Sequence, residues 1–187
     1  MTAIGAQTRY GRSRPRHAAL EYSTVREHEV GEVVWGLTRI LLGFVFLWAF
    51  LDKLFGFGRS TPHGKAWVDG VSPTSAYLSG VDGSLASSFH RLVGHAWVDW
   101  LFMIGLAGIG LALILGIGMW IAAVTGTILL LLMWLSALPI SSNPFVDDHV
   151  IYALVLLGLA FSGEGLRYGL GPWWRNLALV ERLPWLK

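Results

Sequence analysis

The chain contains no cysteine, which excludes disulfides, thiol chemistry, zinc-thiolate sites and cysteine-held iron–sulfur clusters. Charge is scarce too: Asp, Glu, Lys and Arg make up 14% of residues, against about a quarter in an ordinary soluble domain. The widest gap includes Trp100 to Ile140, where no Asp, Glu, Lys, Arg or His occurs. No histidine falls in the middle of an apolar segment, so paired axial haem ligation inside a helix bundle has no candidates. The net charge of +2 is better explained by arginines flanking membrane segments than by nucleic acid, because 54% of the chain is hydrophobic.

What fills the gap is Leu, Ile, Ala, Gly, Met, Val and Trp. As a single helix the stretch would be about 60 Å long, twice the ~30 Å of bilayer hydrocarbon, so it must fold back once. Gly116-Ile117-Gly118 offers the turn, because glycine adopts the backbone angles a tight reversal needs. The expectation is an all-α polytopic membrane protein, a four-transmembrane-helix bundle with interfacial amphipathic segments. Its spans are placed at about 33–55, 97–116, 119–139 and 147–163. Gly108, Ala112 and Gly116 recur every fourth residue, a ridge that permits close helix contact, and Ala122 and Gly126 are spaced likewise.

Before the first span, residues 1–32 carry five arginines and then Glu27, Glu29 and Glu32. They read as a basic cytoplasmic segment, with the first sixteen residues a solvated tail and a short surface helix as the alternative for 17–32. A secretory signal is not expected, since the first apolar segment is too long and lacks a small-residue cleavage site after it. The 57–96 connection is rich in Gly and Ser but carries enough aromatics to lie on the membrane or over the helix ends, with a short helix around 84–93. The final segment, 169–187, places Trp173, Trp174, Leu177, Val180 and Leu183 among Arg175, Glu181 and Arg182, the pattern of an interfacial amphipathic helix. Four spans put both termini on one side. Nine Arg and Lys lie in the terminal segments and three in the long loop, so the termini are expected in the cytoplasm of a bacterial plasma membrane.

That topology gathers Asp52 and Lys53, His95 and Asp99, Asn143, and Asp147, Asp148 and His149 at the outer end of the bundle. A polar mouth above an apolar interior suits a ligand with a polar head and an apolar tail. Capping is the competing explanation: Asp and Asn near helix N-termini accept free backbone N–H groups, and Lys near a C-terminus complements the helix dipole. It accounts for Asp99 and Asp147, but two acids followed by His, opposite a Lys on another helix, exceed what a cap needs. Lys53, Asp148 and His149 are therefore the candidate catalytic cluster, with Asp52, His95, Asp99, Asn143 and Asp147 as candidate binding residues. A metal site built from His95, Asp99, Asp148 and His149 follows no strong ligand spacing, and none is assigned. Arg39, well inside the first span, needs compensation in lipid, and Glu164 at the same end of the last helix is the expected partner in a buried ion pair.

Arg39-x3-Gly43, then Asp52-Lys53-Leu54-Phe55-Gly56, the Gly-rich central hairpin and the Asn143-Pro144…Asp147-Asp148-His149 turn resemble the DoxX/DoxD family of small four-helix bacterial membrane proteins, from about Val33 to Glu164. The Asp-Asp-His turn is the sharper marker. The resemblance implies an integral membrane component of a quinone-linked oxidoreductase system, with quinone the one non-covalent cofactor implied. Absence of Cys excludes a sulfur relay through this chain. The alternative is a non-catalytic accessory subunit attached to other membrane subunits and lipid through its small-residue faces and amphipathic ends. A transporter ranks below both, because no span is broken at mid-membrane.

Overall fold

The computed structural model describes residues 16–140, 143–163 and 165–186, with side chains from residue 27 onward apart from Pro184. Among the described residues every regular element is helical: α1 (Arg16–Phe55), α2 (Ser75–Ser79), α3 (Ala86–His90), α4 (Ala96–Leu115), α5 (Met119–Ser136), α6 (Asp148–Ser162), α7 (Gly171–Arg175) and α8 (Ala178–Arg182), with single 3-10 turns at Trp67–Asp69 and Pro184–Leu186. Three stretches are long and apolar enough to cross a membrane: Glu27–Phe55 of α1, α4 and α5. The fourth apolar helix, α6, has 15 residues and so spans about 22 Å, short of a full hydrocarbon layer.

The central hairpin forms where glycine permits it. Gly116 closes α4 in the left-handed conformation (φ 74°) and Gly118 opens α5 in the same region (φ 58°). α1 packs chiefly on α4 and α5 on α6, while α4 against α5 joins the two pairs. Phe46, Leu106, Ile109, Leu113, Leu130 and Leu156 fill the interior. Outward-facing residues are equally apolar, including Leu41, Phe44, Leu101, Ile104, Ile128 and Leu154. An apolar exterior on apolar helices is the signature of contact with lipid.

Glycines set the closest approaches, only in part along the expected ridge. A Cβ added at Gly110 would lie 2.7 Å from the backbone nitrogen of Leu47, and one at Gly43 would lie 2.8 Å from Leu113 Cβ, so α1 and α4 cross through this pair. Gly108 meets nothing within 4 Å and faces outward. The expected four-residue repeat therefore holds at Gly116, which is buried with a Cβ position 2.8 Å from Arg39 Nη1, but fails at Gly108: the buried stripe of α4 is set by Met103, Leu106, Ile109, Gly110 and Leu113. Gly126 does serve as anticipated, admitting Leu156 of α6 to 2.6 Å from the Cβ position.

Two boundaries differ from the sequence reading. The first helix starts at Arg16 rather than near residue 33 and runs as one continuous helix to Phe55. Residues 16–32 include four Glu, two Ala, two Arg and Leu20, good helix formers that let a helix grow backwards from a packed segment. Residues 1–15, the remainder of the expected tail, lie outside the described residues. The final segment is not one helix: α7 stops at Asn176, α8 follows, and Leu183 turns into the last 3-10 turn. The long loop carries α3 inside the expected 84–93 window, together with α2 and a 3-10 turn that periodicity did not reveal.

Candidate functional site

At the loop end of the bundle, the carboxylates that the sequence offered as ligands are mostly committed to the fold. Asp52 is fully buried one turn before the end of α1, where a negative charge opposes the helix dipole. It is compensated by the loop that follows: Oδ2 accepts from the Ser60 amide at 2.9 Å, the Ser60 hydroxyl at 2.7 Å and the Thr61 amide at 2.8 Å, and Oδ1 from the Arg59 amide at 3.4 Å. Successive amides aimed at one carboxylate form an anion nest, and here the anion belongs to the protein itself. Asp99, in the first turn of α4, accepts from the hydroxyls of Ser72 (2.7 Å) and Thr74. Its expected neighbour His95 is exposed and stacks loosely near Trp97, 6.5 Å between ring centres, so the two do not form a joint site. Trp67 meets Trp100 edge-on at 4.6 Å, and Tyr77 bonds Ser136, so the long loop is stitched over the helix ends at four places.

An open cleft of 490 Å³ lies where this loop meets the end of α5, lined by Tyr77, Asp82, Ser136 and Pro139 among others.

The turn before α6 is built by Asx geometry. Asn143 Oδ1 accepts from the amides of Phe145 and Val146 at 3.0 and 3.1 Å, and Trp134 Nε1 donates to the Phe145 carbonyl. Asp147 is the N-cap of α6; its Oδ1 accepts the His149 amide at 3.1 Å and the Val150 amide at 3.4 Å. Its other oxygen, Oδ2, lies 2.7 Å from His149 Nδ1. Burial pushes the Asp147 carboxyl up, but bonds from the His149 side chain and the Val150 and His149 amides, with attraction to the ring, hold it below its usual value. Asp148 is largely exposed, 3.6 Å from the same ring nitrogen. The Nε2 edge of His149 has no hydrogen-bond partner among the described residues, and the side chain keeps 21% of its exposure.

The expected Lys53–Asp148–His149 cluster does not form. Among the described residues no hydrogen bond or ion pair reaches Lys53; its ammonium sits over the Phe102 ring, 5.8 Å from the centroid. The reason lies in helix order, since α1 leans on α4 and touches α6 only slightly. Asp147, ranked below Asp148 in the sequence reading, is the true partner of His149. The ligand atoms of Asp147, Asp148 and His149 lie within 4.8 Å of one another, but both Asp147 oxygens already accept hydrogen bonds and we assign no metal there.

At the opposite end, Arg39 is fully buried and its compensation comes from backbone rather than from an acid. Nη1 donates to the carbonyls of Leu113 and Ile114, in the last turn of α4; Nη2 donates to those of Gly165 (3.3 Å) and Tyr168 (2.7 Å). A cation at a helix C-terminus satisfies carbonyls that have no intrahelical donor and complements the dipole. Glu164, its expected partner, lies outside the described residues. The acid that sequence reasoning missed is Glu32, which accepts the Gly165 amide at 2.9 Å. Residues 32 and 39 are two turns apart on one face of α1, so together they hold the peptide groups on both sides of Gly165. That seven-residue spacing was the available signal. Comparison with known protein families, with curated proteins and with solved structures finds no match to this chain.

Proposed function

We propose that this chain is an integral membrane component of a quinone-linked oxidoreductase system, a four-span bundle of the bacterial plasma membrane with cytoplasmic termini. The observation that carries the proposal is the Asp147–His149 pair at the start of α6, joined at 2.7 Å with the far edge of the imidazole unpartnered among the described residues. A carboxylate beside Nδ1 holds a proton there, so the neutral ring presents a lone pair at Nε2 and the protonated ring presents a donor. His149 can thus take a proton from a hydroxyl or return one to a carbonyl, which is what a quinol or quinone head group requires of its site. The resemblance to the DoxX/DoxD family at the Asp147-Asp148-His149 turn and at Asp52-Lys53-Leu54-Phe55-Gly56 supports the same reading. Lys53 drops out of the proton-handling group and becomes a residue of the bundle wall.

A second reading is favoured by a different observation. Asp52, Asp99 and Asn143 all spend their acceptors on holding loops, as an accessory subunit of a larger membrane complex would require. Extraction in mild detergent, followed by analysis of retained quinone and of accompanying proteins, separates the two. The redox reading expects quinone with the wild-type protein and its loss from a folded His149→Gln variant. Equal retention by both, or none by the wild type, leaves the accessory reading standing.

A further inference from the structure

The end of the bundle opposite the polar mouth carries a cap that no proton-handling role explains. Its position is set by hydrogen bonds to the membrane helices: the Leu170 amide donates to the Leu115 carbonyl at 2.7 Å, and a Cβ on Gly171 would lie 3.0 Å from the Gly116 carbonyl oxygen. Since α4 has 20 residues, about 30 Å of rise, its two ends fall at the two edges of the hydrocarbon. A segment bonded to its last carbonyl therefore begins at headgroup depth.

The cap has two faces. Inward, Val180 and Leu166 are buried and Trp174 is tied down by an Nε1 bond to the Leu186 carbonyl at 2.6 Å. Outward, Trp173, Leu179 and Trp185 stay 59%, 62% and 57% exposed. Large apolar side chains held outward by a fixed backbone need a partner with apolar and interfacial character. Arg167, Arg175 and Arg182 are exposed on the same segment, with no carboxylate among the described residues within 4.0 Å of any of them. Glu181 is the single acid placed between them in sequence.

We infer that the α7–α8 cap is a docking surface for acidic phospholipid, with Trp173, Leu179 and Trp185 entering the interface and Arg167 and Arg182 meeting headgroup phosphates. Charge complementarity selects the occupant: aromatic and aliphatic groups alone would accept any lipid, whereas unpaired guanidiniums favour anionic ones. Arg175 is set apart, because its Nη2 lies 3.6 Å from a Cβ position on Gly163, beside the C-terminal end of α6. The inference does not depend on the quinone reading.

The test uses the full-length protein in nanodiscs of equal phosphatidylglycerol and phosphatidylcholine, with tightly retained lipid counted by native mass spectrometry. Wild type is expected to retain phosphatidylglycerol preferentially, and Arg167→Gln with Arg182→Gln to lower that preference by roughly fivefold per arginine at low salt. Replacing both by Lys should keep most of it, since a surface phosphate needs charge more than the planar fork. A fluorophore on Ala178→Cys, unique because the chain has no other cysteine, should be quenched by spin-labelled lipid and shielded from aqueous iodide. Equal retention of the two lipids by wild type, or an unchanged preference in the double variant, overturns the inference. So does a label open to iodide, or one shielded from both quenchers, which would place a protein on this face.

Discussion

Replacing Arg39 by Met tests how a buried cation is held at the end of this bundle. Arg39 makes bonds to four carbonyls, two in the last turn of α4 and two in the segment after α6. A hydrogen bond from a charged donor contributes ~1.5–3 kcal/mol, so four of them total about 6–12 kcal/mol of gross stabilisation. Against this stands the cost of keeping a cation out of water, about 2.5–3.5 kcal/mol on insertion scales. Methionine recovers that cost, fills most of the volume and leaves the carbonyls without donors. The net loss expected is the difference, about 3–9 kcal/mol. Arg39→Lys keeps the charge but reaches fewer carbonyls and should lose roughly half as much. The assay is reversible unfolding in mixed micelles, with amide exchange at Leu170 and Gly165 reporting whether the cap loosens first. A loss below about 1 kcal/mol for Arg39→Met would refute the carbonyl cradle. A Glu164→Gln variant that costs as much as Arg39→Met, with strong coupling in the double-mutant cycle, would return the compensation to the carboxylate.

Gly110→Ala should destabilise the bundle by about 1–3 kcal/mol, because the new methyl meets the Leu47 backbone, while Gly108→Ala should be neutral or gain up to ~1 kcal/mol of helix propensity; micelle unfolding compares them. Asp147, held below its usual pKa, contributes stability that is present above the unfolded-state value of ~3.9 and disappears as pH falls through the lower folded-state value. The stability gap between wild type and Asp147→Asn should therefore persist at pH 5 and close only below about pH 4; closure between pH 5 and 6 would mean that burial wins. Topology is checked by single cysteines: Ser87→Cys should react with an impermeant reagent in intact cells and Ser13→Cys should not.

The parts legible in the sequence are those governed by local chemistry. A charge-free run of forty-one residues broken by two glycines dictates a hairpin, and α4 and α5 begin and end within three residues of their expected bounds. The Asp147 cap was equally visible, since an Asp three residues before an apolar run is a helix-start signal. What was hidden depends on the paths of loops. Nothing in the sequence marks Ser60 and Thr61 as donors to Asp52, or Ser72 and Thr74 as donors to Asp99. Arg39 shows the limit most sharply: a search for its partner among acidic side chains overlooks carbonyls, which every residue carries. The Lys53 cluster failed because residues at one membrane depth still need adjacent helices, and adjacency of α1 to α4 rather than α6 is a packing outcome.

The central claim is that His149, oriented by Asp147, serves a quinone head group at the loop end of a membrane bundle. Its most direct measurement is titration of a short-chain quinone into the protein reconstituted in nanodiscs, read by the change in protein fluorescence and corrected with empty discs. Saturable binding to wild type is predicted, weakened at least about tenfold by His149→Gln and by Asp147→Asn with secondary structure intact, a loss corresponding to ~1.4 kcal/mol or one good hydrogen bond. Signal that rises linearly with quinone, or saturates identically in all three proteins, would contradict it.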